Sequence, residues 1–214
     1  MQEDRNNPTN DQILTDVEKL LFIVKKGLEV QKLCCIYEEL SRIDNFENNE
    51  KAILMRNAIS DEIVIIWNDI FGNKRNQTHF KKVASRMRFP CDEARNIIIR
   101  AMNINDGQYK VMHQELLNWR NKLVAHIDID YVFENEMRLE TKYYKLIRLQ
   151  FASIASFILD FLLEYLSEKR DLYCSYRLKN GESRRRCAYD LINDIKREWE
   201  NQINYVEETF RNYN

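Results

Sequence analysis

Glycine and proline are scarce in this chain, with 4 Gly and 2 Pro among 214 residues. These two residues end helices and form the tight turns that join strands. Their scarcity therefore favours long helices with few connections over a turn-rich β fold. Apolar residues recur at helical spacing in several stretches, and no segment shows a sustained alternation of apolar and polar residues. The sequence predicts an all-α protein.

The apolar spacing and the turn signals divide the chain into helical segments. We expect helices over about 11–40, 51–71, 78–87, 91–103, 107–127, 135–170 and 183–210. Asp11 or Thr15 is expected to cap the first helix, and Asn180-Gly181 to form a turn before the last. The predicted domain is a helical bundle of four to five core helices over 11–172. A disordered lead covers 1–10, and a C-terminal helical extension covers 173–214.

The composition also limits where the protein acts and what it binds. The net charge is −1, so no global field attracts nucleic acid or an anionic membrane. The N-terminus lacks the apolar core of a signal peptide, and the apolar stretch 151–166 is interrupted by Asp160 and Glu164. The five cysteines form no metal-binding pattern. We expect a cytoplasmic protein with reduced cysteines, no membrane partner, no metal and no cofactor.

The most informative stretch runs from Arg120 to His126 and ends at Asp128, with the sequence RNKLVAHID. An arginine is followed after five intervening residues by a histidine, and the polar Asn121 comes directly after the arginine. A second stretch, IWNDIF at 66–71, lies on the predicted second helix. Together these stretches resemble the HEPN superfamily with its R-x4-6-H motif, in the branch linked to bacterial abortive infection. The resemblance covers about residues 10–170.

The resemblance implies a metal-independent endoribonuclease that acts as a toxin or phage-defence effector. It also implies an RNA substrate and a homodimer in which the motifs of two subunits face a shared cleft. An antitoxin or another protein partner is a further expectation. A related toxin class carries a tyrosine two residues after the histidine, which a partner enzyme modifies. Asp128 occupies that position here, so we do not expect that form of control.

The chemistry of RNA cleavage explains why these residue types matter. Attack by the 2′-hydroxyl needs a group that moves a proton near neutral pH, which suits His126. The phosphorane that forms needs a fixed cation, and Arg120 offers a planar fork of donors. Asn121 would orient either a phosphate or the histidine. Asp128 would either hold the imidazole or cap the helix end.

The geometry of a regular helix restricts how Arg120 and His126 can cooperate. At about 100° per residue, these two side chains point about 120° apart. They lie on opposite edges of an apolar stripe formed by Tyr109, Met112, Leu116, Trp119, Leu123 and Ile127. We expect this stripe to meet another surface at or beside a homodimer interface, so that both residues line its cleft.

Two basic stretches are candidate RNA contacts. Residues 70–91 contain no acidic residue, and the candidates there are Lys74, Arg75, Lys81, Lys82 and Arg86. Arg184, Arg185 and Arg186 lie near Tyr173, Tyr176 and Tyr189, which could stack on single-stranded bases. Either stretch could instead be an ordinary solvated face.

Two alternatives to an enzyme remain open. The first is a non-catalytic HEPN module that binds RNA, a nucleotide or a protein partner with the same fold, because a fold does not determine a function. The second is a helical interaction protein with no nucleic-acid role. The presence of both Arg120 and His126 favours the ribonuclease.

Overall fold

The computed structural model describes residues 8–43, 48–72, 78–82, 87–121, 141–177 and 183–211. As predicted, the protein is an all-α helical bundle; it also contains a small β-hairpin that was not predicted. The elements are α1 (Asn10–Leu40), α2 (Glu50–Trp67) with a π-helical extension (Asn68–Gly72), α3 (Cys91–Ala101), α4 (Asp106–Trp119), α5 (Thr141–Ser167), β1 (Tyr173–Arg177), β2 (Ser183–Cys187) and α6 (Ala188–Arg211).

Helix α1 begins one residue earlier than predicted, and its cap is Thr9 rather than Asp11 or Thr15. The Thr9 hydroxyl accepts from the Gln12 N–H at 3.3 Å, and the Gln12 side chain accepts from the Thr9 N–H at 3.1 Å. This reciprocal pair satisfies two N–H groups that otherwise have no helical partner. Thr15 lies inside the helix, where its hydroxyl donates to the Asp11 carbonyl at 2.9 Å.

Helix α5 is the centre of the bundle and packs against α1, α3 and α6. This position suits a helix whose buried residues lie on a wide part of its circumference. Its fully buried residues include Tyr144, Ile147, Phe151, Ile154, Ile158 and Leu162. The apolar segment is longer than the stretch 151–166. By length and composition alone, Tyr143–Ser167 could cross a membrane, a test that core helices of soluble proteins also pass.

The end of α2 widens into a π-helix over Asn68–Gly72. A Cβ atom on Gly72 would lie 2.3 Å from the Asn68 Oδ1 atom, so this position accepts no larger residue unless Asn68 moves. The following segment was predicted to be helical over 78–87, but residues 78–82 form a turn. Lys82 N donates to His79 O at 2.7 Å, and Phe80 N donates to Ile70 O at 3.0 Å. Residues 83–86 lie outside the described ranges.

The hairpin corrects the predicted start of the last helix. Residues 183–187 were assigned to that helix, but they form β2, and α6 begins at Ala188. The strands are antiparallel, with Tyr173 opposite Cys187 and Arg177 opposite Ser183. The Ala188 N–H donates to the Leu172 carbonyl at 2.8 Å and closes the base of the hairpin. The predicted Asn180-Gly181 turn lies outside the described residues.

Helix α6 packs on α1 and α5 through Trp199, which is buried. The Trp199 indole N–H donates to the Ser156 hydroxyl at 3.0 Å. A Cβ atom on Gly27 of α1 would lie 3.2 Å from the Trp199 ring, so the absence of a side chain at Gly27 makes room for this indole. The last helix therefore shares the core of the bundle.

Candidate functional site

Arg120 and Asn121 lie at the C-terminal end of α4, where the helix widens into a π-helical turn. The Arg120 Nη1 atom donates to the Asn121 Oδ1 atom at 3.1 Å. Arg120 is partly exposed and Asn121 is exposed. The amide thus holds one edge of the guanidinium, while the group as a whole remains accessible to an anion from solvent.

The other residues of the motif, Lys122 through His126 and Asp128, lie outside the described ranges. Their predicted roles, and the predicted course of the helix to residue 127, stay predictions. The described part of the motif therefore consists of Arg120, Asn121 and the residues that position them.

Trp119 ties the end of α4 to α2. Its indole N–H donates to the Asp61 Oδ1 atom at 3.4 Å, across 58 positions of sequence. Burial raises the pKa of the Asp61 carboxyl, and the hydrogen bond from Trp119 partly offsets this by lowering it. Sequence reasoning missed Asp61, because no local spacing links it to a residue so distant in the chain.

His113 is a second histidine close to the motif, and sequence reasoning did not single it out. It lies seven positions before Arg120, so a helix places both residues on nearly the same face of α4. Its Nε2 atom lies 2.9 Å from the Phe71 carbonyl oxygen, and its ring meets the Trp67 ring edge-on at 5.0 Å. A carbonyl can only accept, so Nε2 carries the proton. His113 thus satisfies a carbonyl at the end of the π-helix.

A buried chain of hydrogen bonds lies beneath the motif helix and joins α2, α5 and α4. The Trp67 indole N–H donates to Gln150 Oε1 at 3.0 Å, and Gln150 Nε2 donates to the Tyr109 hydroxyl at 3.2 Å. All three residues are buried. The IWNDIF stretch therefore acts in the core, where Trp67 fixes the position of α4 through Gln150.

The described part of the apolar stripe, from Tyr109 to Trp119, packs into the protomer's own core. Tyr109, Met112 and Leu116 are all buried within the protomer, and Trp119 is partly buried. Met112 and Leu116 therefore make no contact with a second subunit, and the expectation that the stripe lies at or beside a homodimer interface stays a prediction. Their helical spacing correctly predicted burial, but periodicity alone does not distinguish the protein's own core from an interface.

The basic stretch is partly described. Lys81 and Lys82 are exposed, whereas the neighbouring His79 and Phe80 are buried and stack at 5.2 Å. The His79 Nδ1 atom accepts from the Lys81 N–H at 3.2 Å, which fixes the turn that carries both lysines. The other candidates, Lys74, Arg75 and Arg86, lie outside the described residues.

Within the described ranges, no three His, Cys, Asp or Glu side chains lie close enough together to hold a metal ion. The five cysteines are free thiols, and burial raises the pKa of Cys34, Cys35, Cys91 and Cys174. Thiolates are therefore disfavoured at these four positions.

Comparisons with protein-family models, curated proteins and solved structures found no match to this chain.

Proposed function

We propose that the protein is a metal-independent endoribonuclease that acts in the cytoplasm as a toxin or phage-defence effector. The observation that carries the proposal is the Arg120–Asn121 pair at the end of α4. A partly exposed guanidinium, fixed by an amide and followed in sequence by His126, suits the binding of a phosphate next to a proton-transfer group. The resemblance of RNKLVAHID to the HEPN motif supports the same function.

In the proposed reaction, the 2′-hydroxyl oxygen of the RNA attacks the adjacent phosphorus and the bond to the 5′-oxygen breaks. His126 accepts the proton of the 2′-hydroxyl and, as the imidazolium that this forms, delivers a proton to the departing 5′-oxygen. The products are a 2′,3′-cyclic phosphate and a 5′-hydroxyl. Arg120 donates to the phosphorane oxygens, whose negative charge grows during the attack. No step requires a metal ion or another cofactor.

The test is cleavage of a labelled RNA by the purified protein in EDTA, with analysis of the product ends. Wild type should yield cyclic phosphate ends, and His126→Ala and Arg120→Ala should each lose roughly 10²- to 10⁴-fold in rate. Arg100→Ala is the matched arginine control, because this exposed side chain donates, among the described residues, only to the Asn96 carbonyl in its own helix. His113→Gln is the histidine control. A wild type without activity, or full activity in His126→Ala, would contradict the proposal.

A homodimer remains part of the proposal. Because Met112 and Leu116 are buried within the protomer, the shared cleft would form around the end of α4 that carries Arg120. Light scattering should give twice the chain mass of 25.9 kDa at micromolar concentration. A persistent monomer with full activity would exclude a shared cleft.

A non-catalytic module that binds a protein partner is the second candidate. It is favoured by the first half of α2, where Leu54 and Met55 are 68% and 56% exposed. Exposed large apolar side chains next to each other are typical of surfaces that bind other proteins. Under this alternative, Leu54→Ser would abolish partner binding, while Arg120→Ala would leave every measured property of the protein unchanged.

A further inference from the structure

The β1–β2 hairpin presents an aromatic and basic surface that the proposed cleavage site does not use. The two strands, YCSYR and SRRRC, contain four arginines and no acidic residue. Their register places Tyr173 opposite Cys187 and Ser175 opposite Arg185, so these four residues share one face of the hairpin. We call these four residues the hairpin face.

The aromatic residues on and beside the hairpin face are each paired with an arginine. The guanidinium of Arg185 lies 5.7 Å from the centroid of the Tyr173 ring, and that of Arg170 lies 3.5 Å from the Tyr189 ring. Cys187 brings the two pairs together, because it lies opposite Tyr173 and its thiol donates to the Arg170 carbonyl at 3.4 Å. A ring held next to a guanidinium forms a rigid platform on which a base can stack.

The Tyr173 ring is accessible to a base, and the Arg185 guanidinium beside it is accessible to an anion. Tyr173 is 46% exposed, and Ser175 and Arg185 are also exposed. Arg186 pairs with Asp194 and lowers the pKa of that carboxyl, so its charge is neutralised. Within the part of the chain that the structure describes, Arg185 has no carboxylate partner. One exposed ring and one unneutralised arginine therefore lie side by side.

We propose that the hairpin face binds single-stranded RNA, with a base stacked on Tyr173 and a neighbouring phosphate held by Arg185. This inference rests on the proposed function, which makes RNA the substrate, and it specifies the class of that substrate. A base in a duplex is already stacked on both sides, so it offers no free face to a tyrosine. A single strand offers both the face of its base and a phosphate one backbone unit away.

The test is fluorescence anisotropy with the full chain and a labelled 2′-O-methyl oligouridylate, which lacks the nucleophile for cleavage. Tyr173→Thr removes the ring, keeps a strand-forming residue, and should weaken binding roughly 5- to 100-fold. Tyr173→Phe should bind as the wild type does. Tyr205→Thr is the matched control, because Tyr205 is 70% exposed on α6. Arg185→Gln should reduce the salt slope of log K by about 0.7, the value for one phosphate contact with a single strand.

Equal binding by Tyr173→Thr and Tyr205→Thr would overturn the inference, as would equal affinity for single-stranded and duplex RNA. If circular dichroism shows that Tyr173→Thr is unfolded, Arg185→Gln decides: an unchanged salt slope overturns the inference. RNA cleavage is scored separately. If binding depends on Tyr173 but the wild type does not cleave RNA, the inference is supported and the proposed function is wrong. If the wild type cleaves RNA but binding does not depend on Tyr173, the proposed function is supported and the inference is wrong.

Discussion

The indole of Trp119 is hydrogen-bonded to the carboxyl of Asp61, so the last residue of α4 is tied to the middle of α2. Arg120 follows Trp119 directly. Asp61 is therefore a positioning residue for the proposed phosphate-binding arginine, through the indole and not through contact with RNA.

Removal of this tether should expose Trp119. We expect Asp61→Ala to increase quenching of tryptophan fluorescence by acrylamide, whereas Asp61→Asn, which keeps an acceptor, should behave as the wild type does. The assay is selective because the other two tryptophans, Trp67 and Trp199, are only 0% and 2% exposed. Unchanged quenching in Asp61→Ala would mean that packing alone holds the indole.

The Asp61 carboxyl should also make stability depend on pH. Its raised pKa means that the folded state binds the proton more tightly than the unfolded state does. Its contribution is thus fully present below the unfolded value of about 4 and is lost as pH rises through the folded pKa. Urea unfolding should therefore show Asp61→Asn gaining stability relative to wild type as pH rises through this window. A difference that is independent of pH would contradict the raised pKa.

The two buried glutamines on α1 and α5 should respond differently to replacement by leucine. Gln150→Leu leaves the Trp67 N–H and the Tyr109 hydroxyl buried without partners, which should cost about 2–4 kcal/mol in the free energy of unfolding. Within the ranges that the structure describes, the Gln31 side chain makes one bond, to the Arg148 carbonyl at 2.9 Å, and its Oε1 atom has no partner. Gln31→Leu should therefore cost less. Urea unfolding measures both, and equal losses would contradict the argument.

Replacement of Trp199 tests whether α6 unfolds together with the rest of the bundle. Trp199→Ala should destabilise the protein by about 3–5 kcal/mol, the usual cost of truncating a buried large aromatic residue. Tyr205→Ala on the same helix should change stability by no more than about 0.5 kcal/mol, because this ring is exposed. Thermal unfolding followed by circular dichroism measures both. A small effect of Trp199→Ala would show that α6 docks weakly on the bundle.

Arg120 and Asn121 should contribute unequally to RNA cleavage. Arg120→Lys should restore little of the activity lost in Arg120→Ala, because an ammonium cannot reproduce the planar fork of donors. Asn121→Ala should lose less than Arg120→Ala, since it removes only the amide that holds the guanidinium. The measurement is kcat/KM with the EDTA assay. Full activity in Arg120→Lys would reduce the role of this residue to a simple positive charge.

The basic stretch should contribute to RNA affinity through charge alone. Replacement of Lys81, Lys82 and Arg86 by Glu should weaken binding and flatten its salt dependence, because fewer counterions are released. The control makes the same change in net charge at exposed lysines elsewhere, namely Lys25, Lys32 and Lys51. Equal effects of the two triple variants would assign the stretch to an ordinary solvated face.

Local periodicity predicted much of this fold, but it could not predict contacts between residues that are distant in the sequence. The spacing of Tyr109, Met112 and Leu116 correctly marked a buried helix face, as did the pattern of α5. The hairpin was missed because its strands, YCSYR and SRRRC, show no alternation of apolar and polar residues. For the candidate site, the sequence indicated Arg120 and Asn121. It could not indicate Asp61, whose contact with Trp119 depends on how two helices pack.

The close approach of Asn68 and Gly72 has a consequence for how this sequence can change. A methyl group at position 72 overlaps the Asn68 amide, so a substitution there requires either that the Asn68 side chain moves or that position 68 carries a smaller residue. The two positions should therefore vary together in natural relatives of this chain. In a double-mutant cycle, Asn68→Ala should rescue much of the stability lost in Gly72→Ala, so that the order of the two changes decides whether an evolving lineage passes through an unstable intermediate.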